Sequence, residues 1–555
     1  MKIFLKIIYL LISPKVLYLK LSKLFAEKRI LVFEIWDYVR YRKRYKSLVN
    51  DRISFLPTKD PLLFVFGRGM NLTWAQIWIY LSLDIFKSGT KIQFLISPAR
   101  MVIGLYLNIL RPELVSFSHL RALAKDENIP RFCPTQYDYT SVHGYYHDNL
   151  PVGQIILSTF ARYNLIGEVD VNDEKFIEFF KEWEPIILET YYGARKLFSR
   201  NKYSAIVFTE TFCEDYGSIY FAALALELNI VKTSGTVQDA AILVQRRNKY
   251  TARLSHATLS RNSWEKIRNN ISAHVAISEV RKNFSDRYGR KWFRSARNNN
   301  NSININCVEA RNKLGLREDR KIAIIFSHIL YDALFHYGEE LYRDYAEWLV
   351  RTIELAIKNE NLDWFIKYHP SNIWRGELNS VLKGRYEEDR LIDKFFPSLP
   401  PHVRKIYPST DLSAWTWMKL ADVGVCVRSS PGLEMACLGK PVISAGTGRY
   451  EGYGFTRDPK SIAEYENMIS RAHELAPLSE DETNAANIFA HGLFNLKPFA
   501  LDGLVPMIAS GKRSIKQSDD MIYLPDSIAA AKESNSPKRF SEFLFDSDDE
   551  LLSGI

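Results

Sequence analysis

The sequence predicts an α/β protein made of two doubly wound, Rossmann-like units in tandem. Two observations carry this. Short apolar runs of strand length recur, each followed by a turn and then a stretch with helical spacing, the pattern of parallel strands covered by helices. The alternation also runs twice, broken at residues 294–302, where Arg294-Ser-Ala-Arg is followed by four consecutive Asn and no apolar periodicity survives. A length of 555 residues fits more than one core, at about 150 residues per domain. A composition 46% hydrophobic and 25% charged excludes disordered and collagen-like classes.

The first unit opens with the run Leu62-Leu-Phe-Val-Phe66, the turn Gly67-Arg68-Gly69, and Asn71 and Thr73 at the start of a helical pattern. Further strands are expected at Ile92–Ile96, Ala205–Phe208 and Ile230–Lys232, with a long amphipathic helix over Lys175–Phe198. The second unit reads as strands at Lys321–Phe326, Asp363–Lys367, Asp422–Val427 and Pro441–Ile443, with helices at Leu341–Ile357 and Pro431–Leu438. The expected division is an arm at 1–50, an N-terminal Rossmann-like unit at 58–310 and a C-terminal Rossmann-like unit at 318–460. Helices at 461–510 and a flexible tail at 511–555, ending in the acidic Phe545-Asp-Ser-Asp-Asp-Glu550, complete it.

The net charge of +10 is concentrated in the arm. Residues 1–50 hold twelve Lys or Arg against Glu27, Glu34 and Asp37, while the other 505 residues carry 62 basic and 61 acidic side chains. A neutral body lacks the basic stripe of a nucleic-acid-binding protein, so no nucleic-acid partner is expected. A basic, apolar arm suits an anionic membrane surface, where each Lys or Arg contributes about 1 kcal/mol. Neither apolar stretch around Ser13-Pro14-Lys15 reaches the ~20 residues of a membrane span. The arm reads as a helical monotopic anchor, with a helix packed on the protein's own body as the alternative. The expected location is cytoplasmic, peripheral on the inner face of the cell membrane. Five scattered cysteines, Cys133, Cys213, Cys307, Cys426 and Cys437, fit a reducing compartment, and no Cys/His spacing of a metal site is present.

The densest chemical signal is Arg428-Ser429-Ser430-Pro431-Gly432-Leu433-Glu434 through Gly439. A strand ends at Val427, Ser429 or Ser430 caps a helix, Pro431 fills its first turn and Gly439 stops it. A helix start at the carboxyl end of a parallel strand is where open α/β sheets bind ligands, and its free N–H groups suit a phosphate. Ordinary capping explains a single Ser-Pro pair equally well. Glu434, one turn in, could accept both hydroxyls of a ribose. Ser444-Ala445-Gly446-Thr447-Gly448 follows the next strand with small residues that let backbone approach a ligand. Lys367-Tyr368-His369-Pro370 ends another strand and brings His369 to the same edge. In the first unit, Glu210, Glu214 and Asp215 follow a strand and could present a general base; capping and solvation account for them as well.

Taken in order, Phe326-Ser-His328-Ile-Leu-Tyr-Asp332, Lys-Tyr-His369-Pro370, Arg428-Ser429-Ser430-Pro-Gly432-Leu-Glu434, Gly439-Lys-Pro-Val-Ile and Ala-Gly446-Thr447-Gly448-Arg-Tyr-Glu-Gly-Tyr-Gly454 resemble the capsule polysaccharide biosynthesis family of bacterial glycosyltransferases, over residues 320–460. The resemblance implies a GT-B fold, two Rossmann-like domains facing a cleft, with no obligatory metal and no cofactor beyond a nucleotide-sugar co-substrate. The His-Pro and Ser-Ser elements are also similar to those of GT-B sialyltransferases and Kdo transferases, which places CMP-linked sugars among the candidates. On this resemblance His328, Arg428, Ser429, Ser430, Gly432, Glu434, Gly446, Thr447 and Gly448 would bind the donor, and His369 and Asp332 would serve catalysis; Glu210, outside the resembling span, joins them as the first unit's candidate general base. Thr236-Val-Gln238-Asp239 is only a partial echo of the acidic motif of the Kdo-transferring members. The implied partners are a sugar nucleotide, a polysaccharide or glycolipid acceptor and capsule-assembly proteins. A polyol-phosphate transferase of the teichoic-acid type and a non-catalytic polysaccharide-assembly component stand as alternatives.

Overall fold

The computed structural model describes residues 60–67, 72–96, 107, 113–132, 137–292, 295, 302–372, 386–508, 521–525 and 527–554. The basic arm and the Asn run at 298–301 lie outside the described residues. Among the described residues no helix is long and apolar enough to cross a membrane.

Two sheets form the scaffold. In the first, β1 (Leu62–Phe66), β2 (Ile92–Ile96), β3 (Glu113–Ser116), β4 (Ala205–Phe208) and β5 (Ile230–Gly235) run parallel in the order β3-β2-β1-β4-β5. β6 (Ala241–Arg247) extends that sheet antiparallel to β5. In the second, β7 (Lys321–Phe326), β8 (Leu362–Lys367), β9 (Val403–Ile406), β10 (Val423–Cys426) and β11 (Val442–Ser444) are all parallel, in the order β9-β8-β7-β10-β11. Counted within its own unit, each parallel set has the order 3-2-1-4-5. That is a doubly wound sheet, whose crevice lies where the order reverses, between β1 and β4 and between β7 and β10.

The strands form because Leu, Ile, Val and Phe runs are buried on both faces, as parallel strands covered by helices require. The helices start at polar caps: Asp173 accepts from the Lys175 N–H, Ser272 from Val275, Asp344 from Glu347, and Ser479 forms a capping box with Glu482.

Three features differ from the sequence expectation. Helices Arg261–Asn270 and Ala273–Tyr288 precede the second sheet in sequence yet pack on it. Trp264, Ile267, Val280 and Phe284 share a core with Phe326, Phe365 and Phe489. The chain then returns: β12 (Phe499–Ala500) pairs antiparallel with β6, so the segment 461–508 serves both units. Finally, the described part of the expected tail is folded. Helices Ile528–Glu533 and Ser536–Phe545 follow β12, and Phe540, Phe543 and Leu544 are buried with Phe64 and Trp78 in the first unit's core. Glu550, read as part of a mobile acidic end, is buried in an ion pair with Lys497 at 2.6 Å. The local composition is polar, but its few aromatics fall at helical spacing and find a tertiary partner.

Candidate active site

The ends of β7, β8 and β10 enclose a cavity of about 200 Å³. His328 and Ser327 come from the β7 end, Lys367, Tyr368, His369 and Pro370 from the β8 end, and Arg428, Ser429, Ser430 and Pro431 from the β10 end. Arg449 follows β11, Arg287 and Tyr288 end the helix Ala273–Tyr288, and Val237 reaches in from the first unit. The cavity therefore sits at the second sheet's switch point, the ligand crevice of this fold. The sequence-predicted residues His328, His369, Arg428, Ser429 and Ser430 are brought together there.

The geometry gives them different tasks. Ser429 is the N-cap of helix Ser430–Cys437, yet its hydroxyl makes no capping hydrogen bond, and Pro431 occupies the first turn. The helix start thus keeps orphan N–H groups and its positive dipole end beside the cavity. Ser430 Oγ accepts from Arg287 Nη2 at 3.3 Å. His369 Nδ1 accepts the Ser371 N–H at 3.1 Å, which sets a neutral ring's proton on Nε2 and makes that atom a donor. His328 has the opposite tautomer, because its Nδ1–H donates to the Ile329 carbonyl at 3.1 Å. Its backbone is left-handed, φ +60, and its ring lies 4.7 Å from that of Tyr345. Burial pushes the His328 imidazole down to about 4, so it is neutral at pH 7 with Nε2 as an acceptor. Behind the cavity, Glu388 accepts from Ser327 Oγ at 2.9 Å and Asn372 Nδ2 at 3.0 Å, bracing the β7 and β8 ends.

Other expected donor contacts have tasks within the protein. Arg428 lines the cavity, but its guanidinium is committed to Glu340 (2.8 Å), the Tyr345 hydroxyl (3.0 Å) and the carbonyls of Thr447 (2.6 Å) and Glu339 (2.7 Å). Gly446, Thr447 and Gly448 are not among the lining residues. Their loop is zipped to residues 338–340: Thr447 N–H donates to Glu339 O, Glu339 N–H to Thr447 Oγ1, and Gly446 pairs with Glu340. The small residues serve this contact, since a Cβ on Gly338 would fall 2.1 Å from the Thr447 carbonyl. Gly432 likewise makes room for Tyr450, whose hydroxyl would lie 2.0 Å from a Cβ there and which donates to the Ser429 carbonyl. Glu434 is wholly buried; its carboxylate pairs with Arg287 at 2.9 Å and accepts from the Tyr288 hydroxyl. In this arrangement it faces protein, whereas the sequence suggests a ribose.

The carboxylates assigned to catalysis lie at the seam between the units. Asp332 is 3.9 Å from Arg162 Nε, and the negative charges of Asp332 and Glu210 both raise the Arg162 guanidinium's affinity for its proton. Neither acid is among the cavity's lining residues. Glu214 and Asp215 are buried, Asp215 with Arg121 at 3.6 Å. A second, larger cleft of about 1,130 Å³ opens between the units. Tyr139, Tyr146, Tyr250 and Arg253 line its first-unit wall, and Phe335, Glu340, Tyr342 and Arg343 the other. The Arg428–Glu340 pair stands between cleft and cavity.

Sequence reasoning missed Arg287, Lys367 and Arg449 as cavity residues. A lysine directly after the buried apolar run Trp364-Phe365-Ile366 was a readable signal for Lys367; nothing local marks Arg287.

No protein-family profile and no curated protein sequence matches the chain. Similar solved structures include the KpsC β-Kdo 2,4-transferase of Thermosulfurimonas dismutans, at 14% identity and TM-score 0.30, covering 53% of this chain and 81% of that one. Others are a UDP-GlcNAc 2-epimerase from Neisseria meningitidis bound to UDP-GlcNAc, at 13% identity and TM-score 0.26 over 78% and 96% of the two chains, and a glycosyltransferase from Rickettsia africae, at 10% and 0.27 over 80% and 95%. These likenesses are remote, and the assignment of fold rests on the chain's own sheets. Two 3-2-1-4-5 units that meet across a shared cleft, one with a cavity at its switch point, make this a GT-B architecture.

Proposed function

We propose that the chain is a glycosyltransferase that holds the phosphate of a nucleotide-activated sugar in the switch-point cavity and passes the sugar to a saccharide acceptor of a surface polysaccharide or its lipid-linked precursor. One observation carries the reading. The cavity is lined by Arg287, Lys367, Arg428, Arg449, His328, His369, Ser429 and Ser430, and no Asp or Glu is among its lining residues. Such a set, at a helix start, suits an anion with the charge of a nucleotide phosphate.

On this reading, charge grows on the leaving phosphate as the glycosidic C–O bond breaks. The His369 Nε2–H, the serine hydroxyls and the helix N–H groups are preorganised donors for that charge, the largest expected source of acceleration. Asp332, beside Arg162, and Glu210, both at the seam, would take the acceptor's proton on this reading. The tyrosines of the larger cleft offer flat apolar faces with polar tips, which suits a sugar chain.

The test is a panel of CMP- and UDP-sugars assayed for nucleotide release in the presence of capsular oligosaccharide, with calorimetry of CMP and UDP. His369→Ala should lower nucleotide affinity by about 1.5–3 kcal/mol, the worth of one hydrogen bond to a charged group, while keeping the wild-type melting temperature. No release from any donor, together with no nucleotide binding, would overturn the reading. Peripheral membrane attachment through the +9 arm belongs to the same proposal: deleting residues 1–25 should abolish sedimentation with anionic vesicles at low salt, and unchanged sedimentation would remove it.

A further inference from the structure

One cation of the cavity has no task in the contacts described so far. Lys367 is the last residue of β8, after the buried run Trp364-Phe365-Ile366. Its side chain is 5% exposed and lines the cavity. Among the described residues no hydrogen bond or ion pair reaches its ammonium, and desolvation is the one influence on its proton affinity, pulling it down to about 8.

The other buried cations differ. Lys497 is held by Glu550, Gln245 and the Thr258 carbonyl, and Lys232 donates to Thr211 Oγ1. Around the same cavity Arg287 has Glu434 and Arg428 has Glu340, while Arg449 Nη1 donates to the Arg428 carbonyl. An unpaired buried ammonium costs several kcal/mol, and a methionine of similar shape would fill the space without that cost. The groups facing the cavity around Lys367 are Arg287 and Tyr288 from one helix, His328 after β7, Tyr368 and His369 on its own segment, Arg428 after β10 and Arg449 after β11. The nearby acids, Glu388 and Asp389, are engaged with Ser327 and Asn372 and with Tyr368 and Lys405. The site therefore brings a cation, two serines and a helix start to one space, a set that suits an anion.

We propose that Lys367 directly contacts the phosphate of the bound nucleotide, completing the anion site that Ser429, Ser430 and His369 begin. This rests on the nucleotide reading above and adds a residue to it. Because an anion restores the proton affinity that burial removes, binding above pH 8 takes up a proton at Lys367.

The experiment uses the full-length protein with CMP, UDP and inorganic pyrophosphate as probes, cytidine and uridine as phosphate-free controls, and the variants Lys367→Met and Lys367→Arg. The expected result is a roughly tenfold or greater loss of affinity for the phosphorylated probes in Lys367→Met, partial retention in Lys367→Arg, and equal nucleoside binding by all three proteins. Lys367→Met should also melt above the wild type, because it removes an unpaired buried charge. Calorimetry at pH 8.5 in two buffers of different ionisation enthalpy should show proton uptake by the wild type that Lys367→Met lacks. Wild-type affinity in Lys367→Met would overturn the role of Lys367 alone, and so would a lower melting temperature or failure to fold, which mark a structural residue. If the wild type bound none of the three phosphorylated probes, the nucleotide reading itself would fall, and this proposal with it.

Discussion

The two units share one strand order but differ at their switch points, and the difference lies in how a single helix begins. In the second unit, helix Ser430–Cys437 follows β10 with two serines, a proline and no acid in its first turn. In the first, helix Glu214–Ala225 follows β4 and carries Glu214 and Asp215 in its first turn. The first helix start is also occupied by the protein. Cys213 is left-handed at φ +60 with its sulfur 2.8 Å from His336 Nε2, and the Glu214 N–H donates to Thr159 Oγ1 at 2.9 Å. Both helices have the same dipole. One spends it on its own carboxylates and neighbours, while the other leaves it to a cavity lined with cations. The fold supplies the crevice twice, and the residues at the helix start set whether its dipole meets the protein's own acids or a cation-lined cavity.

The strongest way to break the comparison is to write the first unit's chemistry into the second. Ser430→Asp puts a carboxylate where the phosphate would sit, and like charges juxtaposed in a desolvated site cost several kcal/mol. CMP or UDP affinity, read by calorimetry, should fall by about a hundredfold or more, while circular dichroism stays unchanged because aspartate is a good residue at a helix start. Retained affinity would show that this helix start does not meet the nucleotide.

Glu434 tests how the second helix is held. Breaking a buried ion pair from one side costs about 3–5 kcal/mol, because the partner charge is left unpaired. Glu434→Gln should therefore destabilise the protein toward urea by an amount of that order, leaving Arg287 uncompensated. The ratio of affinities for a ribonucleotide and its 2′-deoxy analogue should match the wild type. A selective loss for the ribonucleotide would instead put the ribose on Glu434.

The smallest expected effect concerns the brace behind the cavity. Burial raises the Glu388 carboxyl to about 7 in the folded protein, above its ordinary 4.5. The folded state therefore holds this proton more tightly than the unfolded chain, and stability from this group is full below pH 4.5 and is lost as pH rises through 7. Glu388→Gln keeps an oxygen for Ser327 and Asn372 without the charge, so its melting temperature should exceed the wild type's at pH 8 and converge with it near pH 4.5. A constant difference across that range would show that Glu388 does not titrate there.

Much of the scaffold was legible in the sequence. The strands at 92–96 and 205–208 and the helix after Ser429 stand where apolar runs and capping chemistry place them. Within the site, the Ser-Ser-Pro start and the His-Pro turn were legible for the same reason: each is a local signal confined to a few residues. The short strands β3 and β9 and the folding of the last segment were not. Glu113-Leu-Val-Ser116 and Val403-Arg-Lys-Ile406 hold two apolar residues each and become strands only beside a neighbour. Phe540 and Phe543 form a core only because the chain comes back to the first sheet.

By itself the sequence determined the alternation of strands and helices, the repetition of that alternation, and the chemical character of the β8 and β10 ends, because propensity, period and capping act over a few residues. Only the tertiary structure decided which charges remain available. Tyr288 and Glu434, 146 positions apart, meet because two helices share an interface. Glu339 and Thr447, 108 apart, close the glycine loop, and the same packing leaves Lys367 without a partner among the described residues. Pairing at such separations depends on which surfaces come into contact, and no local rule of sequence encodes that.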